Sequence, residues 1–203
     1  YEKGLVTIET RPNIEGDVVV SIFDAEGIEV SSGSGLKAEL TIPNVHLWNG
    51  RKDPYLYTAV ASLSVNGIIC DEVRTRFGVR EFHYHPKTGF YLNGRSYPLH
   101  GVSRHQHIED MHIICGMGAN TIRLSHYQHD PFFYDLCDER GMVVWAEIPY
   151  ISEHLPNGRE NTISQMSELI TQNFNHASIV CWGISNEITI STKNKRDMLD
   201  NHH

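Results

Sequence analysis

Apolar residues recur at every second position through much of the first 79 residues. Tyr57, Ala59, Ala61, Leu63 and Val65 are spaced by two, which puts them on one face of a strand. Residues 5–10 alternate more loosely, residues 18–23 form an apolar run, and residues 37–42 alternate until Pro43. Asn66-Gly67 predicts a tight hairpin, because both central residues of a type I′ turn need positive φ. A return strand over residues 68–77 follows. Short strands, frequent turns and no helical period predict a β-sandwich of the immunoglobulin-like sort over residues 1–79, as its C-terminal part or most of it.

The pattern changes near residue 80. A second Asn-Gly pair, Asn93-Gly94, predicts a small hairpin. Strands and helices then alternate. Residues 99–103, 120–125, 142–148 and 179–185 read as strands. The third is so continuously apolar that burial on both faces is expected. Met111, Ile114 and Cys115 mark a helix over 109–116. Asp130 with Pro131 and Gly141 supply the start and stop of another. Ile163, Met166, Leu169, Ile170 and Phe174 predict the inner stripe of a third, and a fourth begins around Asp197.

Four strand–helix units predict a parallel sheet, either open or wound as half of a (β/α)₈ barrel. No Gly-rich phosphate loop follows a strand, which weighs against a nucleotide-binding open sheet. Residues 80–203 fall well short of the roughly 250 of a whole barrel. They therefore read as the N-terminal half of one, truncated.

Composition narrows the class. The chain has 203 residues, 40% of them hydrophobic, and a formal net charge of −8. A nucleic-acid binder would carry a basic excess, and no apolar run approaches the length of a membrane span. The four cysteines form no C-x-x-C pair and read as buried reduced thiols. The thirteen histidines show no metal-binding helix pattern, and His129, His154 and His176 read as surface or loop residues.

In a barrel the chemistry sits at the C-terminal ends of the strands. Here those ends carry Ser103-Arg104-His105, Ser125-His126-Tyr127, Glu147-Ile148-Pro149 and Ser185-Asn186-Glu187. Glu187 follows an apolar strand, where partial burial would raise its pKa towards that of a general acid. A helix N-cap or a solvated loop carboxylate are the bland alternatives. His105 and His126 suit sugar hydroxyls or a purely structural role. Arg123 lies within a strand, as a structural salt bridge or as the partner of a catalytic carboxylate. Glu147 and Glu153 lie near the third strand end, and neither reads as a nucleophile.

Several segments resemble glycoside hydrolase family 2. Residues 100–105 (HGVSRH) are similar to its G-V-N-R-H segment. Residues 118–127 (GANTIRLSHY) are similar to G-A-N-x-x-R-x-S-H-Y, and residues 182–187 (WGISNE) to W-S-x-x-N-E. Leu47-Trp48 and residues 54–57 (PYLY) resemble the close of the family's immunoglobulin-like domain. The resemblance implies a retaining β-glycosidase with a covalent glycosyl-enzyme. Glu187 would be the acid/base, Asn186 the residue bonding the sugar 2-hydroxyl, His105 and His126 sugar contacts, and Arg123 a site arginine. The nucleophile would lie near a seventh strand, beyond this chain, so the piece alone is expected to be inactive.

The segment around S-H-Y looks closer to β-galactosidases, so terminal β-galactosides are the expected substrate. A β-glucuronidase, or a non-catalytic carbohydrate-binding or structural piece, is the alternative. Some relatives bind magnesium after the third strand. Residues 149–154 (PYISEH) do not match that motif, so no metal or other cofactor is assigned. The connection at Gln106-His107 is shorter than usual in the family. A carbohydrate is the expected partner, homo-oligomerisation stays open, and a periplasmic or extracellular location is favoured over a cytoplasmic one.

Overall fold

The computed structural model describes residues 2–193 and 195–202. Six strands come first: β1 (Lys3–Glu9), β2 (Asp17–Phe23), β3 (Glu29–Ser34), β4 (Lys37–Pro43), β5 (Tyr57–Val65) and β6 (Ile68–Phe77). β1 pairs with β4, and a second antiparallel sheet runs β3-β2-β5-β6. Val18, Val20 and Ile22 of β2 face Ala38, Leu40 and Ile42 of β4 across the two sheets, and Tyr57 and Leu63 join them. Strict alternation in β2 and β4 is what produces this core. Asn66 and Gly67 both have positive φ (52° and 78°), as the hairpin between β5 and β6 requires. β5 also buries Val60 on its other face, which a simple alternation does not foresee.

A three-stranded antiparallel unit follows: β7 (Phe82–His85), β8 (Gly89–Leu92) and β9 (Arg95–Ser96). Beyond it lie four parallel strands, β10 (Gly101–Arg104), β11 (Thr121–Leu124), β12 (Val143–Glu147) and β13 (Ile179–Gly183). They pair in chain order with no reversal, as successive strands of a barrel do. The helices are α1 (Asp110–Gly116), α2 (Pro131–Arg140), α3 (Arg159–Asn173) and α4 (Lys195–His202). The molecule is thus an immunoglobulin-like β-sandwich followed by the first half of a (β/α)₈ barrel.

α2 starts where Asp130 accepts a hydrogen bond from the Phe132 amide at 2.8 Å and stops at left-handed Gly141. A Cβ on Gly141 would run into the Gly50 backbone, so the glycine serves both the turn and the packing. Phe133, Tyr134 and Cys137 seat α2 on Ile122, Leu124 and Val144 of the sheet.

The starts of the strands are sealed. Trp48, Phe90 and Leu92 pack on Val143 and Ala177, so the β8 hairpin and the sandwich close the end of the half-barrel opposite the strand C-termini. The Trp48 indole donates to the Asp138 carbonyl at 3.0 Å. The Arg80 guanidinium donates to the carbonyls of Ala177 and Ile179. Burial draws the Arg80 pKa down to about 10, with nearby Asp138 pulling the other way.

Two expectations fail here, and a third holds with one exception. β12 is buried on both faces, as expected, except at Trp145, which points to the inner side and is 40% exposed. The α3 stripe is largely open: Leu169 is buried, whereas Ile163, Ile170 and Phe174 are exposed. Four strands cover only one flank of α3, and an apolar groove of about 340 Å³ remains between it and Ile148, Tyr150 and Ile184. The cysteines are free, but only Cys137 is buried; Cys115 and Cys181 are half-buried and Cys70 is exposed.

Candidate active site

Apolar strand interiors give way to polar groups at the C-terminal ends of β11, β12 and β13. Arg123 on β11 pairs with Trp145 on β12, which places Glu147 two residues further along the same face. Arg123 Nε lies 3.1 Å from Glu147 Oε1, and Nη2 lies 2.9 Å from Oε2. This is a two-pronged ion pair, the strong geometry for guanidinium and carboxylate. Nη2 also donates to Asn186 Oδ1 at 2.7 Å. His126 Nδ1 lies 3.0 Å from Glu147 Oε1. The Glu147 side chain is 1% exposed, whereas Arg123 and His126 are about a quarter exposed. A hidden carboxylate thus carries a rim of half-open donors.

Gly183 on β13 makes room for this. A Cβ there would strike the Trp145 indole nitrogen and the Glu147 Cβ. With hydrogen in that place, Trp145 lies beneath Arg123, the guanidinium carbon 5.1 Å from the ring centre.

His105 follows β10. Its ring stands edge-on to His126 at 5.7 Å and stacks on Tyr127 at 5.9 Å. The peptide between Ser125 and His126 is cis. His129, read from sequence as a loop residue, is buried behind this cluster and bonds the Ser125 carbonyl through Nε2 at 3.2 Å. Burial lowers its pKa, and His105 lowers it further.

Glu187 continues the chain after Asn186. It has φ of +56°, a left-handed conformation that costs a residue with a side chain of order 1–3 kcal/mol and is concentrated at functional sites. The expected partial burial is not found: Glu187 is exposed, because the four strands wall only one side of it. Its main-chain carbonyl accepts from Ile190, closing a turn rather than capping α4. Arg123 reaches Asn186 and Glu147, not the Glu187 carboxylate.

The loop after β12 is laced to the same segment. Ser152, also at positive φ (+67°), donates its amide to the Asn186 carbonyl, and Asn186 donates to the Tyr150 carbonyl. Beneath it, His154 is buried, its Nε2 2.6 Å from Asp197 and its Nδ1 bonded to the Tyr150 hydroxyl. His176 is no free loop residue either: its Nδ1 lies 2.7 Å from Asp138. Asp135, Asp138 and His176 come close enough to suit a cation. Asp135 pairs with Arg76, and Asp138 already bonds the Ser178 amide and His176. The structure therefore gathers Arg123, His126 and Asn186 around Glu147, sets His105 against His126, and holds Glu187 at the edge. Sequence reasoning passed over Glu147 as an organising group. The usable signal was an arginine and a glutamate on adjacent strands, legible once their register is known.

Residues 86–202 match the model described as glycosyl hydrolases family 2, TIM barrel domain, and residues 4–80 match glycosyl hydrolases family 2. The chain belongs to glycosyl hydrolase family 2. A β-glucuronidase of Bacteroides fragilis is 38% identical over 90% of this chain and 30% of its own length. A putative β-glucuronidase of Formosa agariphila is 35% identical over 90% of this chain and 25% of its own. Among solved structures, an FMN-binding β-glucuronidase from Facaelibacterium prausnitzii superposes with a TM-score of 0.93 and 41% identity, over the whole of this chain and 34% of that one. A putative β-galactosidase from Bacteroides fragilis superposes at 0.85 with 32% identity, over 98% of this chain and 33% of that one. The chain thus spans about a third or less of the length of these family 2 relatives.

Proposed function

We propose that the complete protein is a retaining β-glycosidase that releases β-linked glucuronic acid, with Glu187 as its acid/base. The observation that carries the glycosidase reading is the strained Glu187 directly after Asn186, whose amide is held by Arg123 at the open ends of barrel strands. Glycoside cleavage needs two carboxylates, about 5–5.5 Å apart in a retaining enzyme. Glu147 is committed to Arg123 and His126, so the nucleophile is assigned to a residue outside these 203, as the family resemblance implies. Glu187 protonates the leaving oxygen and then takes a proton from the attacking water. Asn186, His126 and His105 hold the sugar.

The sugar assignment departs from the galactoside expected from the residues around Tyr127. It rests on the curated relatives that are named β-glucuronidases. The similarity to the putative β-galactosidase from Bacteroides fragilis supports galactoside hydrolysis as the second reading. Hydrolysis of 4-nitrophenyl β-glucuronide and 4-nitrophenyl β-galactoside by the complete protein decides between them. Turnover of the glucuronide is the expected result. Turnover of the galactoside alone would overturn the sugar assignment and keep the mechanism, and silence on both by folded protein would overturn the glycosidase reading.

A further inference from the structure

We infer that Glu147 is the positioning residue that fixes which atoms of Asn186 and His126 face the sugar; this rests on the glycosidase reading above. The argument starts from donors and acceptors. The Glu147 carboxylate is hidden and meets three nitrogens: Arg123 Nε at 3.1 Å, Arg123 Nη2 at 2.9 Å and His126 Nδ1 at 3.0 Å. A carboxylate held by a guanidinium only accepts, so His126 Nδ1 carries a hydrogen. In the neutral ring Nε2 is then a bare lone pair, ready to accept from a sugar hydroxyl.

Arg123 transmits the same constraint to Asn186. A guanidinium only donates, so the asparagine oxygen must face Nη2, as it does at 2.7 Å. The amide NH₂ is left as a donor pair for the sugar. One buried carboxylate, in one case through Arg123, therefore orients two binding groups that follow two different strands. The pocket then offers an acceptor at His126 and donors at Asn186, a set suited to hydroxyls, which both give and take a hydrogen. A glutamine at 147 would break the rule. Oε1 meets both Arg123 Nε and His126 Nδ1, so a glutamine sets its NH₂ either there, forcing the His126 hydrogen to Nε2, or against Arg123 Nη2, the atom that holds Asn186.

The test uses the complete protein. In wild type labelled with ¹⁵N-histidine, the His126 resonances, assigned by their loss in His126→Gln, are expected to show Nδ1–H; in Glu147→Gln the hydrogen should move to Nε2 unless the NH₂ has turned on Arg123 Nη2. With 4-nitrophenyl β-glucuronide, Glu147→Gln is expected to lower kcat/KM about 100-fold, the scale of a misplaced positioning group. Where Nδ1–H is kept and Arg123 Nη2 is displaced from Asn186, the 2-deoxy analogue, which lacks the hydroxyl assigned to Asn186, should shrink the loss to about 10-fold or less. An Nε2–H form in wild type would overturn the proposal, as would equal losses on the two substrates in a Glu147→Gln protein that keeps Nδ1–H. If Glu147→Gln fails to fold, the wild-type resonances decide alone. They need no turnover, so an inactive wild type would sink the glycosidase reading without touching this measurement.

Discussion

Two arginines lie at opposite ends of the same four parallel strands. Arg80, at the sealed end, meets main-chain carbonyls and the face of Phe82, 4.8 Å from the ring centre, with Asp138 nearby but no carboxylate in an ion pair with it among the described residues. Arg123, at the open end, meets a buried carboxylate and still has bonding capacity turned outward. The first holds the sandwich and the half-barrel together and has nothing to offer a ligand. The second is a relay between a fixed charge and groups at the surface. Residue type and burial are similar, and the partner decides the role.

That contrast can be broken most forcefully at the open end. Glu187→Gln in the complete protein should reduce turnover of glycosides with poor leaving groups by about 10²–10⁴-fold, the usual range for general acid–base groups. Nitrophenyl glycosides should suffer less, because their leaving group needs little protonation. Equal loss on both would refute the acid/base role. Thermal unfolding should barely move.

The sealed end should behave in the reverse way. Trp48→Ala removes a fully buried side chain and the indole bond to Asp138, and should cost about 3–5 kcal/mol in denaturant unfolding. Arg80→Met keeps the apolar stem but leaves two carbonyls without their donor. About 1–3 kcal/mol is expected, with kcat unchanged in the fraction that remains folded. A fall in kcat without loss of stability would mean that the two ends are coupled.

His129 sharpens the comparison through pH. Its pKa is lowered in the folded state, chiefly by burial. Unfolding releases a ring that takes up a proton, so the unfolded state binds more protons and stability rises with pH. Wild type should therefore lose stability as pH falls below about 6.5, the ordinary histidine value. His129→Gln, which can still donate to the Ser125 carbonyl, should flatten that part of the curve. Melting temperature against pH in both proteins measures it.

Local signals were read well. The Asn66-Gly67 turn, the capped α2 and the order of four strands all follow from neighbours in sequence, and the structure repeats them. Candidate positions at strand ends were legible too, because apolar runs stop where Arg123, His126 and Asn186 gather. What failed depends on distance. Whether Ile163 or Leu169 is covered depends on which elements lie beside α3. Whether His154 is buried depends on Asp197, far along the chain. Glu147 looked like one more acidic residue after an apolar run, since its importance comes from the register between two strands.

Gly183 also has a consequence for how such sequences can diverge. Its missing side chain is the space that the Trp145 indole occupies. A larger residue at 183 is excluded while tryptophan remains at 145, and it becomes admissible once 145 has been trimmed. The two positions therefore have an order of change: the tryptophan has to go first. A lineage that kept it would find replacement at 183 closed, however well the new residue suited β13 by itself.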